Sequence, residues 1–219
     1  MKAGGKGHII DWAGALDGAG ETKLPAGEVP MMRELVTRSR SYRRFQEERQ
    51  VEPEVLTELI EIARLTPSAS NKQPLKYLLS RARERNDAIF GCLRWAAYLA
   101  DWPGPAPGER PTAYVVILGD KEIAETVPWD HAVAAQTIML AAAEKGLAGC
   151  IIANIDRERL RRELVLPARY QILLVVALGF PHETVVVEEM RGGDYKYWRD
   201  EEGVHHVPKR PLAELILDL

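Results

Sequence analysis

The chain has 219 residues, enough for one sizeable core or at most two small domains. A formal net charge of -3 and a pI near 6.0 give no global electrostatic reason to bind nucleic acid or an anionic membrane, so any basic site has to be local. The hydrophobic share of 46% beside 28% charged residues is that of a soluble globular protein. Two distant cysteines, Cys92 and Cys150, suggest neither a disulfide framework nor a zinc site, and a reducing cytoplasm suits them best.

Residues 1–29 are rich in Gly and Ala and are expected to form a tail or arm, leaving 30–219 as the folded domain. They hold no continuous apolar stretch of the kind a signal peptide needs, and the Met31-Met32 pair offers an alternative start of translation. Met32, Leu35 and Val36 predict a short helix running into the arginine-rich segment Arg38 to Phe45. Pro53 then stands where a first helical residue would, and Leu56, Leu59, Ile60 and Ala63 recur at helical spacing up to Pro67.

The stretch Pro67-Ser68-Ala69-Ser70-Asn71-Lys72-Gln73-Pro74 must be a loop, because each proline fixes its own φ and disfavours helix in the residue before it. Its hydroxyls, amides and ammonium form a dense donor set suited to a planar heteroaromatic ligand, although the same residues also make ordinary loops. Tyr77 to Leu79 predicts a strand, Asn86 to Ala100 a helix, and the proline-rich Asp101 to Thr112 a loop. Ala113 to Leu118 reads as a fully buried strand.

Pro128 to Leu147 is the longest helix candidate, and its centre from Ala132 to Ala143 is apolar nearly all round. That run is too short to cross a bilayer, so a second subunit covering one face is the expected solution, making the protein a homodimer. Strands follow at Cys150 to Ala153 and Tyr170 to Leu178, with a charged helix between them at Arg157 to Leu164. Val185 to Val187 extends the sheet, Tyr195 to Trp198 and Val204 to Val207 flank a hairpin turn at Asp200 to Gly203, and Leu212 to Leu219 closes the chain as a helix. Interleaved helices and strands without repeats indicate a mixed α and β class.

Three constellations could carry chemistry. Arg40, Ser41 and Arg43 set two guanidiniums around a hydroxyl, a pattern suited to a phosphate, to a solvated basic face or to an RS-type nucleic-acid segment. Lys209 and Arg210 form a second basic pair between prolines. His205 and His206 fall on opposite faces of a strand and cannot readily share a metal, so none is expected. No GxxxxGK, GxGxxG, GxSxG or HExxH pattern occurs, which leaves hydrolysis and the usual nucleotide cradles without support.

Taken in order, Arg40-Ser41-Tyr42-Arg43-Arg44-Phe45, the loop from Pro67 to Pro74, Gly146-Leu147-Ala148-Gly149-Cys150 and Leu178-Gly179-Phe180-Pro181 resemble the FMN-dependent nitroreductase-like flavoproteins over roughly residues 31–219. The resemblance implies an α+β sandwich, with a central mixed but mostly antiparallel sheet flanked by helices, and a homodimer binding FMN at the subunit interface. It assigns Arg40, Ser41 and Arg43 to the phosphate, ribityl chain and pyrimidine edge. Pro67, Ser68, Ala69, Ser70, Asn71 and Gln73 become the loop reaching the flavin from the partner subunit, with Ile151, Ile152 and Ala153 beside the ring and Lys209 and Arg210 closing on the phosphate.

Two positions depart from the family pattern: Ser39 stands where a second basic residue is common, and Ala153 where glycine is. The implied activity is ping-pong hydride transfer from NADH or NADPH through FMN to a quinone, nitroaromatic or other electron-poor acceptor, with Arg43 and Asn71 tuning the flavin. The alternatives are a flavin-cleaving or dehalogenating member, a flavin-binding or redox-sensing module without turnover, and, last, RNA binding through the arginine segment.

Overall fold

The computed structural model describes residues 32–218, and the tail or arm expected over 1–29 lies outside them. The described residues divide into two compact units. The larger takes in residues up to Trp95 and then Pro103–His182, and the smaller takes in Ala96–Trp102 and residues from Glu183 onward.

In the larger unit the order is α1 (Met32–Arg38), α2 (Pro53–Ala63), β1 (Leu75–Ser80), α3 (Arg83–Phe90), β2 (Ala113–Asp120), α4 (Asp130–Glu144), β3 (Ala148–Ile152), α5 (Arg157–Glu163) and β4 (Tyr170–Gly179). The four strands form one sheet in the order β1-β2-β4-β3, and all three pairings are antiparallel. Strand β2 lies inside the sheet, and all eight of its residues are buried. Its Val115, Val116 and Ile117 suit a pleated strand covered on both faces.

Helix α2 begins at Pro53, whose missing N–H costs nothing at that position, and turns Leu56, Leu59 and Ala63 inward. It packs on α4, which also contacts α1 and strands β2, β3 and β4. Ile138 and Met139 of α4 meet Val115, Ile117, Val176 and Leu178 of the sheet in one apolar core. Burying each such side chain contributes about 1.5–3 kcal/mol. Alanines at 134, 135, 141 and 142 let the helix approach the sheet closely. The described residues do not enclose α4, however, since Val133 is 40% exposed and Ala132 and Gln136 are also exposed.

The helix expected over Asn86 to Ala100 ends at Phe90. Beyond Gly91, Leu93 pairs with Ile155, Arg94 N donates to Asn154 O, and Asp156 N donates to Cys92 O. These long-range main-chain bonds outcompete the local helical ones. Strand β1 proves longer than Tyr77 to Leu79, and β2 continues two residues past Leu118.

In the smaller unit, β5 (Val185–Glu189) runs parallel to β7 (His205–Lys209), and β6 (Trp198–Arg199) pairs antiparallel with β7, in the order β5-β7-β6. The expected hairpin turn is present: Gly203 has φ 82°, and Asp200 Oδ1 accepts from Val204 N at 2.8 Å. The strand expected from Tyr195 begins only at Trp198. The expected terminal helix is a single turn, Leu212–Glu214. Leu212, Leu215, Ile216 and Leu217 are each more than 60% exposed, so nothing among the described residues supplies the tertiary packing that so short a helix needs.

Candidate functional site

The segment after α1 is an ordered turn. Ser39 N donates to Leu35 O, Arg40 N to Arg38 O and Tyr42 N to Arg40 O, so the chain folds tightly through the basic residues. Ser41 then forms a parallel bridge with Gly149 at the start of β3, where Tyr42 N donates to Gly149 O at 2.9 Å. A Cβ on Gly149 would stand 2.6 Å from Met139 Sδ and 2.9 Å from Ala177 O, so only glycine allows strand, helix and turn to meet there. Tyr42 and Phe45 are buried, and Phe45 bridges Pro181 while lying against Gly179. Three of the four segments singled out in the sequence are thus brought together by main-chain contacts.

On this turn Ser41 is exposed and Arg43 is buried, its Nη1 donating to Ser41 O at 3.2 Å. Arg40 donates to Val36 O, yet its Nε is buried with no partner among the described residues, as is the Ser39 hydroxyl. Burial lowers the Arg40 guanidinium from its usual range, opposed by the charge of the nearby Tyr42 phenol. A partly desolvated cation with an unused donor can accept an anion as its hydrogen-bond partner.

The loop from Pro67 to Pro74 is ordered and mostly exposed. It contains a short turn, Ala69–Asn71, and Ser70, Asn71 and Gln73 all have positive φ, at 52°, 55° and 52°. Gln73 Nε2 donates to both the main-chain and side-chain oxygens of Asn71 at 3.1 Å, which pairs the two amides of the motif. The loop also bonds to a residue outside the segments singled out in the sequence: Asp130, 5% exposed at the start of α4, accepts from Ser68 Oγ and from Ala69 N. No local signal could have revealed it, because its partners lie 61 and 62 residues away.

The remaining expected site residues are distributed differently. Ile152 is buried, Ile151 half-buried and Ala153 exposed, with the Ala153 carbonyl held by Arg157 Nη2 at 3.2 Å. Lys209 and Arg210 belong to the smaller unit, Lys209 ending β7 and Arg210 pairing with Glu214 at 3.0 Å. His205 is fully buried, whereas His206 binds carboxylates through both ring nitrogens. Among the described residues no cluster of His, Cys, Asp and Glu is arranged to hold a metal, and no helix is long and apolar enough to cross a membrane.

A provisionally named NADH dehydrogenase/NAD(P)H nitroreductase of Methanothermobacter thermautotrophicus is 28% identical over 159 residues, covering 68% of this chain and 77% of that protein. One of Archaeoglobus fulgidus with the same name is 26% identical over 149 residues, covering 64% of this chain and 80% of its own. Among solved structures, a provisionally named nitroreductase from Desulfovibrio desulfuricans in complex with FMN has a TM-score of 0.62 at 23% identity, covering 88% of this chain and 98% of that one. These likenesses agree with the α+β architecture of an antiparallel sheet flanked by helices. Residues 36–180, well over half of the sequence, match the model of the Nitroreductase family, and the chain belongs to that family.

Proposed function

We propose that this protein is an FMN-dependent NAD(P)H oxidoreductase of nitroreductase type. It works as a homodimer with FMN at the subunit interface and passes hydride from NADH or NADPH to a quinone, nitroaromatic or other electron-poor acceptor in a ping-pong cycle. The observation that carries the reading is the buried, unpartnered Nε of Arg40 beside the equally unpartnered Ser39 hydroxyl. Such donors fit a group that brings several acceptor oxygens, as the phosphate and ribityl chain of FMN do.

Arg40 and Ser41 would hold that end of the cofactor, and Lys209 and Arg210 would add positive charge at the phosphate. Arg43, buried and fixed to the Ser41 carbonyl, would stabilise negative charge at the pyrimidine edge. Asn71 and Gln73 would face the flavin from the partner subunit, and Ile151 to Ala153 would lie beside the ring. FMN, when bound, supplies the hydride chemistry itself. The names of the two archaeal relatives and the FMN in the Desulfovibrio structure support the cofactor and co-substrate. Exposed Val133 on α4, with Met32 and Val36 on α1, supports burial of that surface by a second subunit.

Purified protein should be yellow, should gain melting temperature on addition of FMN, and should bleach anaerobically with one or both nicotinamides before an acceptor panel restores the colour. Absence of flavin absorbance, with no thermal gain from added FMN, would overturn the reading. Bound FMN that stays oxidised under excess NADH and NADPH would reduce it to a flavin-binding module.

A further inference from the structure

The loop from Pro67 to Pro74 poses a physical question. Ser70, Asn71 and Gln73 all occupy the left-handed region, which is disfavoured for any residue carrying a Cβ. Side-chain packing among the described residues of its own chain does not hold them there, because residues 69–73 are exposed and the loop borders a cavity of about 180 Å³ lined by Thr66, Pro67, Ser68, Gln73, Tyr77 and Asp130. A loop beside open space can collapse into it. Something other than packing has to fix this one.

Hydrogen bonds do so, and they converge on one carboxylate. Asp130 Oδ1 accepts from Ala69 N at 3.1 Å, and Oδ2 accepts from the Ser68 hydroxyl. Because that hydroxyl spends its only proton on Asp130, its lone pairs face the other way, and one accepts from Gln73 N at 2.8 Å. A single chain of bonds therefore runs from α4 through Ser68 to the far end of the loop, where Gln73 grips Asn71. Asp130 is itself buried, at 5% exposed, and is the first residue of a core helix. A carboxylate in that first turn also meets the positive end of the helix dipole.

We propose that Asp130 is a positioning residue that imposes the left-handed geometry of residues 70–73 through the Ser68 hydroxyl, and so aims the Asn71 and Gln73 amides. Its consequence for the cofactor rests on the reading of this loop as the flavin edge. An Asp130→Ala chain loses both bonds and frees the Ser68 hydroxyl to turn away from Gln73 N. Asp130→Asn keeps one acceptor oxygen and should retain part of the effect.

The test has two independent readouts. In apoprotein without added FMN, hydrogen exchange at the Ala69 and Gln73 amides should accelerate by about tenfold or more in Asp130→Ala and by less in Asp130→Asn, as expected for lost bonds to a carboxylate. The amides of Val115 and Ile117 in β2 should keep their protection, which shows that the core still folds. In a fluorescence titration with FMN, Asp130→Ala should bind about tenfold more weakly and Asp130→Asn should fall between it and the unmodified protein.

Unchanged exchange at Ala69 and Gln73 in Asp130→Ala would overturn the assignment. Faster exchange with FMN affinity equal to that of the unmodified protein would overturn its link to the cofactor. If the unmodified protein binds no FMN, the proposed function falls, and the exchange measurement still decides whether Asp130 shapes the loop.

Discussion

The two units of this chain are held together by different physics. In the larger, β2 is buried along its whole length and α2 and α4 add a continuous apolar core, while ion pairs such as Arg64–Glu61 lie outside it on the surface. The smaller has three short strands with few fully buried apolar groups, among them Val185, Val186 and Met190. Polar and aromatic contacts make up the difference. Glu183 pairs with Arg199 at 2.8 Å, Arg199 lies over Trp102, Tyr197 packs on the buried ring of His205, and His206 sits between Glu188 and Asp200. Apolar burial responds little to pH, whereas ionic contacts in a small sheet respond directly. Arg40 to Arg43 thus belong to the unit with the continuous apolar core, and Lys209 and Arg210 to the unit rich in polar and aromatic contacts.

The largest expected effect tests whether the smaller unit depends on its buried pair. The Glu183 side chain is 1% exposed and that of Arg199 is 11%. Glu183→Ala leaves a guanidinium buried against Trp102, which should destabilise the smaller unit by about 3–5 kcal/mol. Hydrogen exchange should show loss of protection in β5 and β7 with β2 unchanged. Adding Arg199→Met should recover much of the loss, because the cost lies in the stranded charge. Equal loss in both units would erase the contrast.

A smaller effect is expected in the larger unit at Gly149. The backbone oxygen of Ala177 and the sulfur of Met139 leave no room for a methyl group, so Gly149→Ala should cost about 1–3 kcal/mol in chemical denaturation. The substitution also pushes on the carbonyl that receives Tyr42 N, so FMN affinity should fall with stability. Lost stability with unaltered FMN affinity would separate the basic turn from the core that supports it.

How far the chain explains itself follows the same division. Strand β2 and helix α4 were legible because continuous apolar runs are decided by burial, and the basic turn and the donor-rich loop because their residue types survive in short motifs. Helix α3 stops early because Leu93 finds Ile155, a partner 62 residues away that no window contains. The end of the chain has the apolar residues of a helix and lacks a surface to bury them on. Asp130 was invisible as a site residue for a related reason: acids are common in first helical turns, and only the fold brings this one to Ser68. The unpartnered Nε of Arg40 is likewise a fact of three dimensions, since composition cannot say which donors go unused.

The smallest effect separates the units by pH. His206 faces Glu188 from β5 through Nδ1 and Asp200 through Nε2 at 3.0 Å, and its ring stacks on Trp198 at 4.8 Å. Burial pulls its pKa down, but the hydrogen bonds to Asp200 and Glu188 and their charges outweigh burial and leave it above the usual 6.5. Asp200 moves the opposite way, held below 3.8 chiefly by the His206 hydrogen bond. A raised histidine contributes stability that is fully present below about 6.5 and is lost as pH rises through the folded value. A depressed carboxylate contributes stability above 3.8 that is lost as pH falls through its folded value. The smaller unit should therefore be most stable between those limits and weaken on the alkaline side, while β2 shows no such slope. Exchange at Val186 and Val207 across that range should reveal the loss, and His206→Gln should flatten it. A slope that persists in His206→Gln would mean that another group governs the pH response of this sheet.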